Sequence, residues 1–337
     1  MKDGSTQRVK VTLKKQNYNR YPGRGITVKP ARATWNTGYF QEDLIRKALE
    51  TLGYMLKPTK ELRNSLFYKR MALGEVDYWA NGWFPHHWSQ VPMNFKDKAG
   101  IYGTVAENGG LQGYLVSRDL AERYNITSLD DFKRTEVKRA FDTNSDGKAD
   151  LVACPPGWSC EKVITHHLSV YNLHRHINEL KSSYSANMRI TLDKFRRGQP
   201  VFFYTWAPNW TIAELKPGRD VVWINVPEIR PTSRQRSAEH LMTVSGLKGA
   251  VTDPVKLGFI ASNIKIVANH QFMRKNPPIK AFFSVFSLPL EDINEQNKKM
   301  KNGEKSQTDI RNHVDEWIAD NRDTWNNWLE AARSASK

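Results

Sequence analysis

The sequence predicts an α/β protein of two lobes built on a mostly parallel sheet, and three observations predict it. Strand-like and helix-like apolar patterns alternate along most of the chain, as in strands joined by crossing helices. At 337 residues the chain exceeds what one hydrophobic core usually serves, so two lobes with their own cores fit its length. Tryptophans recur in Gly- and Pro-bearing loops just past strand patterns, where open α/β sheets bind ligands.

The elements follow in order. Gly25–Asn36 begins as a buried strand, and Tyr39–Leu52 is a helix whose Leu44, Ile45, Ala48, Leu49 and Leu52 share one face. Gly53 stops it, being free to take positive φ. A short strand at Tyr54–Leu56, a helix over about Leu62–Leu73 and a strand running into a Pro-containing loop over Val76–Trp88 come next. Gly110–Asn125 is a strand and helix, and Ser128 N-caps a short helix at Leu129–Lys133 with Asp131 placed as in a capping box. Glu161–Asn172 is helix, and Arg189–Trp210 reads as helix, turn, strand and loop. A strand at Val221–Pro227, a long polar loop over Arg230–Leu257 and further strand–helix alternation through Ala281–Asn297 complete the body. The tail from His313 has the apolar spacing of an amphipathic helix. Residues 1–21 read as a disordered basic arm or an expression remnant, outside the fold.

Composition narrows the function class. The chain is 39% hydrophobic with a mean hydropathy of −0.64, as expected of a soluble globular protein. No run of about 18 apolar residues predicts a membrane span, and the N-terminus lacks the apolar stretch of a secretory signal. A net charge of +16 permits nucleic-acid or anionic-surface binding. The Lys and Arg residues are scattered, however, and the short basic runs at 274–280 and 298–305 read as solvated faces. Cys154 and Cys160 form either a disulfide in an oxidising compartment or a reduced pair, and their spacing argues against structural zinc.

Four constellations carry possible chemistry. Trp83, Trp158 and Trp206 stand in NGWFP, PPGWS and YTWAP; most of the eleven tryptophans are packing residues, but these three are placed to line a cleft. Indole faces attract a quaternary ammonium through their quadrupoles, about 0.5–2 kcal/mol per face. Such a cation has no N–H to donate, which makes an aromatic box its natural receptor. The start of the helix at Ser159 and Cys160 offers free N–H groups to an anion, and a Cys154–Cys160 bridge would hold them in place or serve local stability only. The histidine pairs at 86–87 and 166–167 lack any metalloprotease spacing; His87, four residues after Trp83, is instead placed to hydrogen-bond a carboxylate. Asp142–Asp150, DTNSDGKAD, matches the first positions of a calcium loop, but position 12 is Ala153, which favours a turn held by Asx hydrogen bonds.

GRGITVKPARA, LIRKALETLGY, GWFPHH, DTNSDGKADL, CPPGWSCE, PVFFYTWAPNW, ELKPGRDVVWINVP and HVDEWI resemble the ProX family, the periplasmic glycine betaine/proline betaine-binding proteins of ProU-type ABC transporters. The resemblance runs from about Pro22 to the C-terminus and departs over 230–257. It implies a type II periplasmic binding fold, two α/β lobes joined by two crossing segments, with lobe 1 over 22–112 plus 258–337 and lobe 2 over 113–257. It implies that Trp83, Trp158 and Trp206 box a trimethylammonium group, while His87 and the Ser159 and Cys160 N–H groups hold the ligand's carboxylate. The family usually has Gly where this chain has Ser159, a change that keeps the backbone donor. It further implies a Cys154–Cys160 disulfide, a periplasmic site with a leader missing from this chain, and an ABC permease as partner.

The sequence thus predicts a receptor for a small zwitterionic quaternary ammonium ligand serving osmoprotectant uptake, with no cofactor, no metal, no nucleic acid and no catalysis. Competing readings are choline, dimethylsulfoniopropionate or proline betaine in the same cleft, a basic nucleic-acid-binding protein, and a metal hydrolase.

Overall fold

The structure, a computed structural model, describes residues 19–35 and 38–336. Most of the arm expected over 1–21 lies outside the described residues. Two short strands, β1 (Thr27–Val28) and β2 (Ala31–Ala33), lead into α1 (Tyr39–Thr51), which buries Leu44, Ile45, Ala48 and Leu49 as their spacing predicts. Gly53 follows at φ +90°, a setting that any Cβ disfavours. β3 (Met55–Leu56) and β4 (Lys60–Leu62) pair in parallel with β1 and β2, and α2 (Asn64–Ala72) comes next.

β5 (Tyr78–Phe84) is buried throughout and runs into a 3-10 turn at His86–Ser89. α3 (Phe95–Lys98) precedes β6 (Ala99–Ser117), a 19-residue strand on which the sheet is organised. Beyond it come α4 (Arg118–Tyr124), α5 (Thr135–Phe141), β7 (Ala149–Val152), α6 (Ser159–Val170), β8 (Ile177–Leu180) and α7 (Tyr184–Arg196). The capping box of Ser128 and Asp131 forms as predicted at the turn Leu129–Lys133. β9 (Phe202–Ala207), α8 (Trp210–Glu214) and β10 (Val221–Ile224) complete this half.

The segment 230–257 is more ordered than the long loop expected there. It holds a 3-10 stretch at Arg236–Met242 and a small hairpin of β11 (Thr243–Val244) with β12 (Val255–Lys256). β13 (Ser262–Asn269) then returns to the sheet before α9 (His270–Lys275), α10 (Pro277–Val285) and α11 (Leu290–Lys301). Ala281–Asn297, expected to continue the strand–helix alternation, is therefore helical on both sides of Leu288. The amphipathic tail is two helices, α12 (Gln307–Asp320) and α13 (Arg322–Ser334), folded so that Trp328 packs against Trp317 and Phe286 at 5.3 and 4.7 Å.

The central sheet runs β5-β13-β6-β9-β7-β8, with β10 also on β6. It corrects the expected mostly parallel sheet: β5–β13, β13–β6, β6–β9 and β6–β10 are all antiparallel, and only β7 pairs in parallel, with β8 and β9. Alternation of patterns marks where strands lie but not their direction, and β13 arrives from far along the chain. β6 changes partner midway. Ala99–Gly110 pairs with β13, and from Leu111 onward the strand pairs with β9. The sheet thus has two halves joined through one strand. A large apolar core extends through both, and a smaller aromatic core of Trp35, Phe67, Tyr68, Trp79, Phe84 and Phe95 sits against β5 and α2.

Candidate functional site

Trp83, His87, Trp158, Ser159, Cys160 and Trp206 all line one cavity of about 350 Å³, its mouth included. Trp35, Gln112 and Tyr204 complete the lining. No Asp, Glu, Lys or Arg side chain is among these residues. Cations would meet ring faces there, and anions would meet neutral N–H and O–H donors.

Trp83 and Trp206 lie inside strands, near the carboxyl ends of β5 and β9, rather than in the loops their Gly and Pro neighbours suggested. Trp83 opposes Ile264 of β13, and its indole N–H donates to Asn81 Oδ1 at 2.9 Å. A Cβ on Gly110 would come within 2.7 Å of the Ser262 carbonyl and 3.0 Å of the Trp83 ring, so glycine lets β6 lie directly against that indole. Trp206 opposes Gln112 across β6, and its ring sits 4.8 Å from Tyr184. The Tyr184 hydroxyl donates to the Tyr204 carbonyl and contacts Thr205 Oγ1, both at 3.0 Å, which fixes that ring behind the tryptophan.

Trp158 is the N-cap of α6 and meets Trp206 edge to face at 5.5 Å. An N-cap tryptophan has no acceptor with which to satisfy the first helical amides, so Ser159 and Cys160 keep N–H groups that no intrahelical carbonyl can reach. Gly157 makes the approach turn at φ +86°, and its N–H is held by Glu161 Oε2 at 2.9 Å. Cys154 and Cys160 form a disulfide with Cα atoms 5.8 Å apart, clamping the first turn of the helix to the end of β7. The helix dipole adds positive potential where the two amides point.

His87 is 2% exposed. The Trp83 backbone N–H reaches its Nδ1 at 3.1 Å and the Tyr68 hydroxyl lies 2.7 Å from the same nitrogen. A backbone N–H can only donate, so Nδ1 accepts and the ring proton resides on Nε2. Asn64 Nδ2 lies 3.2 Å from that Nε2, while Asn64 Oδ1 has no partner; turning this amide over would set oxygen against the Nε2–H. Burial, and then the neighbouring His86, push the His87 pKa well below the usual imidazole value, so the ring is a neutral donor. Trp79 stacks on it at 5.7 Å and 15°.

Sequence reasoning missed Trp35, Gln112 and Tyr204. For Tyr204 the signal was present in the pattern of β9, which places residues 204 and 206 on one side of the strand. Gln112 had no such local signal, and Trp35 reads as one more aromatic in a short strand.

The other candidates stand elsewhere. In DTNSDGKAD the polar side chains turn on their own loop: Asp142 accepts from the N–H of Gly147 at 2.8 Å, Asn144 from Asp146 at 3.0 Å, and Asp146 from Lys148 at 2.9 Å. This is the Asx-held turn. His167 is buried against the Tyr114 hydroxyl at 2.9 Å, and His166 meets the Arg230 carbonyl at 2.8 Å, so the second histidine pair divides between two partners. Among the described residues no cluster of three or more His, Cys, Asp or Glu is arranged to hold a metal, and no helix is long and apolar enough to cross a membrane.

Comparison with known proteins bears on this geometry. Residues 26–320 match the family model of the substrate binding domain of ABC-type glycine betaine transport system. The chain is 39% identical over 316 residues to the glycine betaine-binding periplasmic protein OusX of Dickeya dadantii, covering 94% of this chain and 92% of that one. It is 38% identical over 319 residues to the glycine betaine/proline betaine-binding periplasmic protein of Escherichia coli, covering 94% and 93%. Among solved structures, the glycine betaine, L-proline ABC transporter binding protein (ProX) of Borrelia burgdorferi superposes with a TM-score of 0.69 at 17% identity, over 92% of this chain and all of that one. That likeness is one of fold, the two-lobe type II periplasmic binding fold. This chain belongs to the family of substrate-binding domains of ABC-type glycine betaine transport systems.

Proposed function

We propose that this protein captures glycine betaine, or the closely related proline betaine, outside the cytoplasmic membrane and delivers it to an ABC permease for osmoprotectant uptake. The observation that carries the reading is a cavity that combines tryptophan faces with neutral hydrogen-bond donors and has no ionised side chain in its lining. Such a site suits a ligand with zero net charge and separated cationic and anionic ends. Trp83, Trp158 and Trp206 take the trimethylammonium group by cation–π attraction. The backbone N–H groups of Ser159 and Cys160 take the carboxylate at the positive end of the α6 dipole, and the Nε2–H of His87 joins them by exchanging its Asn64 partner for the ligand.

Lobe 1 is assigned to 22–112 plus 258–337 and lobe 2 to 113–257. The partner change of β6 between Gly110 and Leu111, and the return of the chain between Lys256 and Ser262, support these boundaries. Trp83 and His87 then belong to lobe 1, and Trp158, Ser159, Cys160 and Trp206 to lobe 2, so ligand joins the two. A periplasmic location is supported by the disulfide, which persists in oxidising compartments, and by the names of the relatives. The protein's role is capture and delivery, with no bond made or broken.

Calorimetric titration with glycine betaine, proline betaine, dimethylsulfoniopropionate and choline tests the proposal. Glycine betaine is expected to bind at least about 30-fold more tightly than choline, since choline forgoes a charge-assisted hydrogen-bond set worth about 2 kcal/mol. Choline binding as tightly as betaine would remove the carboxylate role, and absence of binding by all four would remove the reading.

A further inference from the structure

The cavity has a fourth indole outside the motif set. Trp35 follows β2, is 9% exposed, and meets Trp158 edge to face at 5.8 Å and 65°. On its other flank it meets Trp79 at 5.9 Å, and Trp79 is the ring stacked on His87. Trp35 therefore joins the wall built by α6 to the wall built by β5. Beyond it lies a second cavity of about 730 Å³, mouth included, which shares Trp35, Trp158 and Trp206 with the first. The three shared indoles are the partition between the two spaces. Asn297, 3% exposed and with its Nδ2 unpartnered, lines the far side.

The three panels of this partition are not equally braced. Trp158 is set by the helix start beside the disulfide, and Trp206 by its strand and by Tyr184. Trp35 stands two residues beyond a three-residue strand and is positioned by edge contacts with other rings. Because the shared panels are aromatic, the second cavity lies behind the part of the site suited to the cation, away from the donors suited to the carboxylate.

We propose that Trp35 is the specificity-determining residue for the substituents on the ligand's nitrogen. It closes the cage around methyl groups and, by separating the two cavities, excludes bulkier ammonium ions. The inference rests on the quaternary ammonium reading of the cavity. Replacing Trp35 by a small residue joins the two spaces and admits larger N-alkyl groups while leaving the carboxylate end unchanged.

The test uses the Trp35→Ala and Trp35→Phe variants, with N,N,N-trimethylglycine and N,N,N-triethylglycine as probes in calorimetric titrations and thermal melts to verify folding. Wild-type protein is expected to bind the trimethyl compound and discriminate strongly against the triethyl one. Trp35→Ala should weaken trimethylglycine by about tenfold, through loss of one ring face, and shift the ratio of the two dissociation constants by more than that toward triethylglycine. Trp35→Phe should fall between them, and it carries the test alone if the alanine variant does not fold. A folded variant in which both ligands weaken by the same factor, or neither changes, overturns the inference and leaves the betaine reading intact. Wild-type protein that binds neither ligand overturns that reading, and this inference with it.

Discussion

Trp158 stands between Gly157 and Ser159 at the start of α6, clamped by a disulfide six residues long and by the hydrogen bond from Gly157 to Glu161. His87, on the facing wall, is held by the Trp83 amide four residues away and by Tyr68, Asn64 and Trp79, which come from α2 and the far end of β5. The backbone of one wall is set by links within a dozen residues, although the Trp158 ring itself packs on Trp35 and Trp206. The other is assembled from side chains that only the tertiary fold brings together. Both present neutral donors to the same cavity, but a helix terminus does so through backbone geometry and a buried imidazole through a fixed tautomer. Donors of the first kind should be the more tolerant of side-chain change, because the backbone supplies them.

The largest expected effect lies on the tertiary wall. His87→Ala should remove a ligand donor and leave the Trp83 N–H and the Tyr68 hydroxyl buried without their acceptor, costing about 2–4 kcal/mol of stability as well as betaine affinity. Chemical denaturation with and without betaine measures both losses. A variant that loses affinity at full stability would show that the imidazole serves the ligand and not the wall.

Opening the local wall should cost less stability and a larger share of function. Replacing Cys154 and Cys160 by serine frees a short loop, for which chain entropy assigns about 2 kcal/mol. The apo melting temperature should fall modestly, while betaine affinity falls further because the Ser159 and Cys160 amides lose their clamp. Equal losses in free energy of binding and of folding would make the bridge purely structural.

The response to acid tests the buried neutral imidazoles. Burial lowers the pKa of His86 to about 4 and of His167 to about 3, and lowers that of His87 well below the usual value. Below the unfolded value near 6.5 the unfolded chain binds more protons at these sites, so the stability they carry is lost as pH falls toward the folded values. Glu42 opposes this. Burial raises its pKa to about 7 against the pull of Arg46, so it favours the folded state as pH falls from 7 toward 4.5. His176 is lowered too, while Asp43 and Asp77, raised by burial, side with Glu42; the fully buried histidines predict a net decline in melting temperature from pH 7 to pH 5, and Glu42→Gln should steepen it. Greater stability at pH 5 than at pH 7 would contradict the buried neutral histidines.

What could be read in advance follows the same division. The face of α1, the stop at Gly53, the capping box at Ser128 and the helix entrance at Trp158 depend on spacings of three to seven residues, and each was legible. The parallel sheet was not. Strand direction in the central sheet is set by β13, whose pairing with β6 joins segments about half the chain apart. The break at Asn321 was likewise hidden, since the apolar spacing continues across it while the fold turns Trp328 back onto Trp317. Trp35 has the same history: nothing near it in sequence distinguishes it from a packing residue, and its place in the site comes from Trp158 and Trp79.

By itself the sequence determined much of the alternation of elements, the loop that presents Trp158, and which tryptophans and helix-end amides to propose for a ligand site. These rest on backbone preference and short-range geometry, which act wherever the residues occur. The tertiary structure alone decided the mixed sheet hung on β6, the neutral tautomer of His87 and the fourth indole between two cavities. Each depends on a contact between distant segments, and such contacts exist only once burial of the apolar core has brought those segments together.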